Sequence, residues 1–483
     1  MLAIVLTPPF ILPNFKGLYM KSYLLPTTQK GGTPLRLIRE SGFADWRKKA
    51  AEAEASWLDS IDFKGRAGSF ALMPGAKGKI SYVLAVVEND VSLWNIAHLS
   101  GVLPKGAYRP EWIGKGADKN WGEYALGWQL GTYRFAMRQK ENKKEYASLI
   151  VLDAAKQWAD KTAASIFLVR DLINRPANDL TPEALAVAAA EVAKKYKAKY
   201  TVIHGDALLK HNYPLVHAVG RASENAPCLI DFTWGKETHP KVTLVGKGVT
   251  FDSGGLDIKS ADGMKLMKKD MGGAAQVLGL AALIMEMKLP VRLRVIIAAV
   301  ENSVGSNAFR PLDVIKSRKG LTVEIGNTDA EGRLILCDAL AEADDEKPDL
   351  LVDCATLTGA ARVALGTELP AYFTPDDKLA AELDKQARNH TDPMWRLPLW
   401  KPYREMMNSD VADINNAGSG GYAGAITAAL YLQDFVTKTR SWVHLDMMAW
   451  NLKSRPGRPQ GGEAMGLRAL FRLIEARYGK VSD

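Results

Sequence analysis

The sequence predicts an α/β protein with an N-terminal α/β domain at residues 1–170 and a larger C-terminal domain at residues 171–483. The chain has 483 residues, which exceeds the usual length of one domain. Its composition, 47% hydrophobic and 24% charged, is typical of globular proteins with large cores. Strand-like and helix-like segments alternate through the second half, which favours a central mixed, mostly parallel sheet flanked by helices.

The hydrophobic periodicity of five segments indicates the elements of the first domain. We expect strands at residues 80–87 and 148–152, and helices at residues 40–58, 120–138 and 154–174. The last helix would connect the two domains, because residues 174–182 contain several helix stops and caps. Thr181 and Pro182 then begin an alanine-rich helix that extends to about Lys197.

The second domain contains several continuous apolar runs, which are typical of strands covered on both faces. Strands are expected at residues 199–203, 227–233, 241–245, 292–300, 322–325 and 350–354. Helices are expected at residues 272–287, 333–342 and 376–388. In such sheets ligands bind beyond the carboxyl ends of the strands.

Charge and cysteine content restrict the class of protein. The net charge is +9, and residues 1–150 carry 21 Lys and Arg against 13 Asp and Glu. The positive charge of this part has two explanations: it contacts nucleic acid, or it is an ordinary basic surface in contact with water. Three cysteines exclude a disulfide framework and favour a reducing compartment. Residues 1–15 are apolar but interrupted by prolines, so we expect neither a membrane-spanning helix nor a secretion signal there. We therefore expect a cytoplasmic protein.

Unusual residues follow the predicted strand ends in three loops, at residues 246–259, 326–333 and 355–359, which we expect to meet at one rim. Asp329, Glu331 and Arg333 alternate, so an extended loop would place all three on one face. Asp252 and Asp270 also lie at element ends. Each acidic residue has an alternative role as a helix cap or turn residue, but together they suit divalent cations, which prefer oxygen ligands.

Two lysines flank Asp252 in glycine-rich sequence. Lys247 and Lys259 could stabilise a developing oxyanion or, as neutral amines, bind metal, although solvated surface lysines are the alternative. The spacing lacks the phosphate-loop and dinucleotide patterns. No serine or cysteine has the setting of a nucleophile.

Taken together, these loops resemble the cytosol (leucyl) aminopeptidase family of dinuclear metallopeptidases. The resemblance rests on residues 327–333 (NTDAEGR), 245–256 (VGKGVTFDSGGL) and 267–275 (MKKDMGGAA), in the family's order and spacing. It implies a macro-domain-like N-terminal domain, a metallopeptidase catalytic domain and a homohexamer.

The resemblance also implies a role for each matching residue. Two divalent ions, Zn or Mn with Mg or Co as further candidates, would bind five residues, namely Lys247, Asp252, Asp270, Asp329 and Glu331. Lys259 matches the catalytic lysine, and Arg333 matches the arginine that holds a bicarbonate acting as general base. The pocket for the first substrate residue would include Met267, Thr356, Leu357 and Gly359.

Two departures from the family pattern affect specificity. Residues 447–450 read MMAW where relatives usually have IAG after the His-Leu-Asp sequence, and residues 259–261 read KSA in place of Lys-Pro-Ser. We therefore expect an aminopeptidase acting on short peptides, without assigning its preferred first residue. The alternative function is a DNA-binding architectural or regulatory hexamer that acts through the basic N-terminal domain.

Overall fold

Two β-sheets, each covered by helices, organise the chain. The computed structural model describes residues 20–90, 92–114, 121–135 and 144–479. The larger sheet is mixed, with parallel pairing at its centre, so the predicted α/β fold class is confirmed. The predicted division at residue 170 falls inside a continuous helix, Asp153–Asn174, and stays a prediction.

The first sheet has six strands in the order β1-β6-β5-β2-β4-β3, with only β3 antiparallel to its neighbour among the described strands. Its strands are β1 Leu24–Pro26, β2 Thr33–Arg39, β3 Phe70–Pro74, β4 Ile80–Val87, β5 Ala107–Trp112 and β6 Ser148–Val151. The helices of this part are α1 Glu40–Lys49, α2 Glu52–Ser60, α3 Leu99–Val102, α4 Trp121–Leu130 and α5 Asp153–Asn174.

Two helix predictions in this region need correction. The helix expected at residues 40–58 is two helices, because Ala50 and Ala51 adopt extended backbone between α1 and α2. The helix expected at residues 120–138 ends at Leu130 in the structure, and residues 120 and 136–138 lie outside the described residues.

The central sheet has eight strands in the order β15-β14-β17-β13-β9-β10-β8-β7. Its strands are β7 Lys199–His204, β8 Cys228–Trp234, β9 Lys241–Asp252, β10 Arg292–Asn302, β13 Leu350–Ala355, β14 Ala371–Phe373, β15 Trp395–Arg396 and β17 Trp442–Asp446. Short strands outside it are β11 Val314–Lys316, β12 Thr322–Glu324, β16 Ile414–Asn415, β18 Trp450–Asn451 and β19 Gly461–Gly462.

Helices cover both faces of the central sheet, which explains why its strands are apolar throughout. One core packs α5, α6, α10 and α15 against the sheet, and the other packs α8, α11 and α14. The helices of this part are α6 Pro182–Lys195, α7 Ala207–Lys210, α8 Pro214–Gly220, α9 Ala261–Met264, α10 Gly272–Glu286, α11 Glu331–Asp345, α12 Gly359–Leu365, α13 Asp377–Asn389, α14 Gly424–Gln433 and α15 Leu467–Tyr478.

The predicted strand at residues 322–325 does not belong to the central sheet. Strand β12 pairs with β11 and β16 in a separate three-stranded sheet. Strand β9 is longer than predicted and continues to Asp252. Within the described residues, no helix is both long enough and apolar enough to cross a bilayer.

Candidate active site

Strand β9 carries Lys247 and Asp252 into the site. A Cβ on Gly246 would lie 2.7 Å from the Ala274 Cα, so glycine at this position allows helix α10 to pack against the strand. Lys247 points to the opposite face, toward helix α11. There Gly332 leaves room for it, because a Cβ on Gly332 would lie 2.6 Å from the Lys247 Cε.

The Lys247 ammonium group lies between two carboxylates. Its Nζ is 2.7 Å from the Asp270 Oδ2 and 2.9 Å from the Glu331 Oε1, and it donates a hydrogen bond to the Thr356 carbonyl at 3.1 Å. Lys247 is only 2% exposed, so it and both carboxylates are removed from water. These ion pairs hold together because moving either partner away would leave an unpaired charge in the protein interior.

A second lysine joins the other two predicted carboxylates. The Lys259 Nζ is 2.8 Å from the Asp252 Oδ2 and also contacts the Asp329 Oδ1. The other oxygen of Asp252 accepts hydrogen bonds from the Gly254 amide at 2.9 Å and the Asn302 side chain at 2.8 Å. Asp252 is therefore fixed from two sides.

The carboxylates converge on one small volume. Ligand oxygens of Asp252, Asp329 and Glu331 lie within 4.8 Å of one another. The Asp270 Oδ2, the Asp329 Oδ1 and the Glu331 Oε1 are buried and, among the described residues, have no aligned hydrogen-bond donor, although each lies against a lysine ammonium group. Buried oxygens of this kind, with a lysine nitrogen beside them, fit the donor set of hard divalent cations.

The pKa shifts show an excess of negative charge. Burial, followed by the charge of Asp252, raises the pKa of Glu331 to about 8, and the same two causes raise the pKa of Asp329. Burial alone would lower the pKa of Lys247, but the charges of Asp270 and Glu331 outweigh it and raise that pKa above its usual value. Without a metal, Lys247 is therefore an ammonium ion that compensates the carboxylates.

Arg333 lies in the first turn of α11, beside this cluster but not paired with it. Its Nη1 donates to the Asn416 carbonyl at 2.7 Å, and its guanidinium group lies 6.0 Å from the centre of the Tyr431 ring. Burial lowers the pKa of Arg333. Its Nε is buried and lacks an acceptor among the described residues, so the group can still hold an anion.

A cavity of about 290 Å³ opens beside the cluster, and its lining includes Asp329, Glu331, Arg333 and Tyr422. Of the predicted pocket residues, Leu357 and Gly359 line this cavity. The other two, Thr356 and Met267, are not among its lining residues. Thr356 is buried and its hydroxyl donates to the Asp270 carboxylate at 2.8 Å, and Met267 is half-buried in the turn before Asp270.

Several supporting residues were not predicted from the sequence. Asn302 holds Asp252, and the two residues are register partners on neighbouring strands β10 and β9. Asp446, at the end of β17, accepts hydrogen bonds from the backbone amides of Leu357 and Thr358 at 2.9 and 3.2 Å. A polar residue at the end of an apolar strand lies at the edge of the sheet where ligands bind, and this position in the sequence could have identified both residues.

The fold and the carboxylate–lysine cluster define the class of protein as an α/β metal-dependent hydrolase. Comparison with known proteins specifies the family. Residues 167–471 match the description "cytosol aminopeptidase family, catalytic domain", and residues 33–152 match "M17 aminopeptidase, N-terminal domain". The chain belongs to the cytosol aminopeptidase family and is a leucyl-type metallo-aminopeptidase.

Three relatives illustrate the similarity. The crystal structure of the cytosol aminopeptidase from Coxiella burnetii is 46% identical, covers 94% of this chain and 99% of its own, and superposes with a TM-score of 0.89. The probable cytosol aminopeptidase of Chlorobium luteolum is 38% identical over 446 residues, which are 90% of this chain and 84% of that protein. The bottromycin maturation enzyme BotP in complex with Mn is 32% identical, covers 92% of this chain and 100% of its own, and has a TM-score of 0.81.

Proposed function

We propose that this aminopeptidase hydrolyses the first peptide bond of short peptides with two divalent metal ions bound to five residues, namely Lys247, Asp252, Asp270, Asp329 and Glu331. The observation that carries the proposal is the convergence of four buried or half-buried carboxylates on two lysines, with three of their oxygens lacking an aligned donor in the part of the chain that the structure describes. When bound, two such ions lower the pKa of water and polarise a carbonyl group.

The chain's own residues would perform the remaining tasks. The Lys259 ammonium group would donate a hydrogen bond to the substrate oxygen on which negative charge develops. Its pKa supports this role: burial alone would lower the pKa of Lys259, but the charges and hydrogen bonds of Asp252 and Asp329 together outweigh it and raise the pKa above its usual value, so the group is protonated near neutral pH. Asp270 would accept a hydrogen bond from the free α-amine, which explains a preference for chain ends.

Arg333 would hold a bicarbonate through its buried Nε, which has no acceptor within residues 20–90, 92–114, 121–135 and 144–479. Bicarbonate supplies a general base when bound. Leu357 and Gly359 would contact the first substrate residue directly, and Thr356 and Met267 would shape the pocket from behind. Thr356 also holds the Asp270 carboxylate in place.

Manganese and zinc are the metals we favour, and the Mn complex of BotP supports manganese. We also propose a homohexamer, as the family resemblance implies, and a cytoplasmic location. The three cysteines support the location, because all are buried and unpaired, as expected in a reducing compartment. The comparisons give no support for a DNA-binding role, which stays an untested alternative.

Metal removal followed by metal addition tests the proposal. The enzyme is treated with a chelator, dialysed, and assayed on leucine p-nitroanilide before and after addition of Mn²⁺ or Zn²⁺. We expect the activity to disappear after chelation and to return when metal is added. In Asp329→Asn, the activity should remain absent after metal is added under the same conditions. Full activity in protein whose metal content is negligible would refute the proposal.

A further inference from the structure

A second cavity, also of about 290 Å³, lies away from the candidate active site and contains none of its residues. We call it the arginine cleft, and its principal lining residues are Trp94, Arg170, Arg455, Arg458, Glu463 and Arg468. Trp94 comes from the part of the chain that forms the first sheet, and the others come from α5 and the C-terminal segment. The cleft therefore joins the two halves of the molecule.

Four arginines and three carboxylates line the arginine cleft, and all but one of these arginines have an acidic partner. Arg170 pairs with Glu463 at 2.9 Å, Arg455 contacts Glu368, and Arg468 lies 3.6 Å from Asp392. Arg468 also lies 3.4 Å from Glu123, which is not one of the residues that line the cleft. Arg458 is the exception, because no carboxylate among the described residues pairs with it.

The structure holds Arg458 in place without such a partner. Residues 455–458 form a tight turn, closed by hydrogen bonds between the backbones of Arg455 and Arg458 at 2.8 and 2.9 Å. Gly457 has a φ of +68°, which favours glycine, and its carbonyl accepts a hydrogen bond from the Arg170 Nη2 at 2.8 Å. The Arg458 guanidinium group stacks on the Trp94 ring, 4.4 Å from its centre. A ligand would therefore meet a preorganised group.

The electrostatic environment of Arg458 is unfavourable in the absence of an anion. Burial, followed by the charge of Arg455, lowers the pKa of Arg458 to about 10; the charge of Glu463 opposes this shift, and Arg468 and Arg170 add to it. Three buried nitrogens, the Arg170 Nη1, the Arg455 Nε and the Arg458 Nε, have no acceptor among the described residues. An anion in the cleft would relieve the repulsion.

We propose that the arginine cleft binds a small oxyanion, with Arg458 as its main ligand. A guanidinium group presents two parallel N–H donors, a geometry that matches the oxygens of either a phosphate or a carboxylate group. Trp94 contacts the face of the Arg458 guanidinium group, whereas a bidentate contact uses its edge, where the Nε lacks an acceptor among the described residues. This site is separate from the Arg333 position, because the two cavities share no residue.

Calorimetric titration of the metal-loaded enzyme tests the proposal, with inorganic phosphate in one arm and acetate in the other, at constant ionic strength set with chloride. We expect saturable binding in at least one arm, and the arm that saturates identifies the group. Arg458→Gln should weaken that affinity at least tenfold, and Arg458→Lys, which keeps the charge but loses the planar fork, should weaken it less. Arg310→Gln is the control, because Arg310 is 70% exposed and remote from the cleft.

Two further measurements separate this site from others. Asp329→Asn, altered at the candidate active site, should keep the anion affinity of the wild type. Without added anion, Arg458→Gln should melt within a few degrees of the wild type, because the variant loses the stack on Trp94 but also loses the repulsion from Arg455. The proposal is overturned by the absence of saturable binding in both arms, by unchanged affinity in Arg458→Gln, by loss of binding in Asp329→Asn, or by a large fall in melting temperature that shows Arg458 to be structural.

Discussion

Replacement of Lys259 by methionine removes one ammonium group from the site and keeps an unbranched side chain. In the structure this group lies 2.8 Å from Asp252, and the side chain is 14% exposed, so it is largely desolvated. When metal ions occupy the carboxylates, the ammonium group becomes available to the substrate oxygen that gains charge. Loss of one such donor raises the barrier by about 2.7–4 kcal/mol, which corresponds to a fall in kcat of roughly 100- to 1000-fold.

The assay is steady-state hydrolysis of leucine p-nitroanilide, with metal content measured on the same samples. We expect kcat to fall by this amount in Lys259→Met while metal content is unchanged, because Lys259 is not a proposed ligand. Lys265→Met is the matched control, since Lys265 is an exposed lysine six residues away. An unchanged kcat, or a loss of activity that simply follows loss of metal, would refute the role assigned to Lys259.

Three other predictions concern the metal site. Gly332→Ala should weaken metal binding and also lower the free energy of unfolding in urea, because its Cβ would lie 2.6 Å from the Cε of the buried Lys247 and would displace the ammonium group from its carboxylates; tight metal binding with unchanged stability in this variant would contradict the packing. Asp329→Asn should lower metal affinity in competition with a chromogenic chelator, and an affinity equal to that of the wild type would remove Asp329 from the ligand set. Metal at about 100 times its Kd should stabilise the folded enzyme by about 2.7 kcal/mol in denaturation experiments, so equal stability with and without metal would speak against a built site.

The central part of the fold could be predicted because its strands are continuous apolar runs. Strands β8, β10 and β13 and helices α10 and α13 lie within a few residues of their predicted positions. Strand β12 was misassigned to the central sheet because local pattern does not reveal which strands pair. Its partners β11 and β16 are separated from each other by about a hundred residues of sequence, and pairing at that distance depends on tertiary contacts.

The convergence of the site residues followed from their position at element ends, but part of the reasoning was wrong. Glu331 and Arg333 lie in the first turn of α11 and not in an extended loop, so their alternation does not place them on one face as predicted. Asp270 does not cap α10, because its carboxylate turns to Lys247 and Thr356. The choice between a cap and a ligand could not be made from sequence alone, since both roles use the same residue at the same position.

The supporting groups were harder to foresee than the charged ones. The side chains of Asn302 and Asp446 form hydrogen bonds with residues on or directly after a neighbouring strand. These partners can be identified only when the order of the strands in the sheet is known. The arginine cleft was also hidden, because its arginines come from segments up to about 300 residues apart that only the packed structure brings together.

The number and position of the metal ions in the enzyme decide whether the proposed mechanism is correct. Anomalous diffraction from crystals grown with Mn²⁺, together with elemental analysis of the same preparation, measures both. We predict two anomalous peaks per chain, enclosed by Lys247, Asp252, Asp270, Asp329 and Glu331. A fully active enzyme with no peak among these side chains, or with its metal bound elsewhere, would contradict the account.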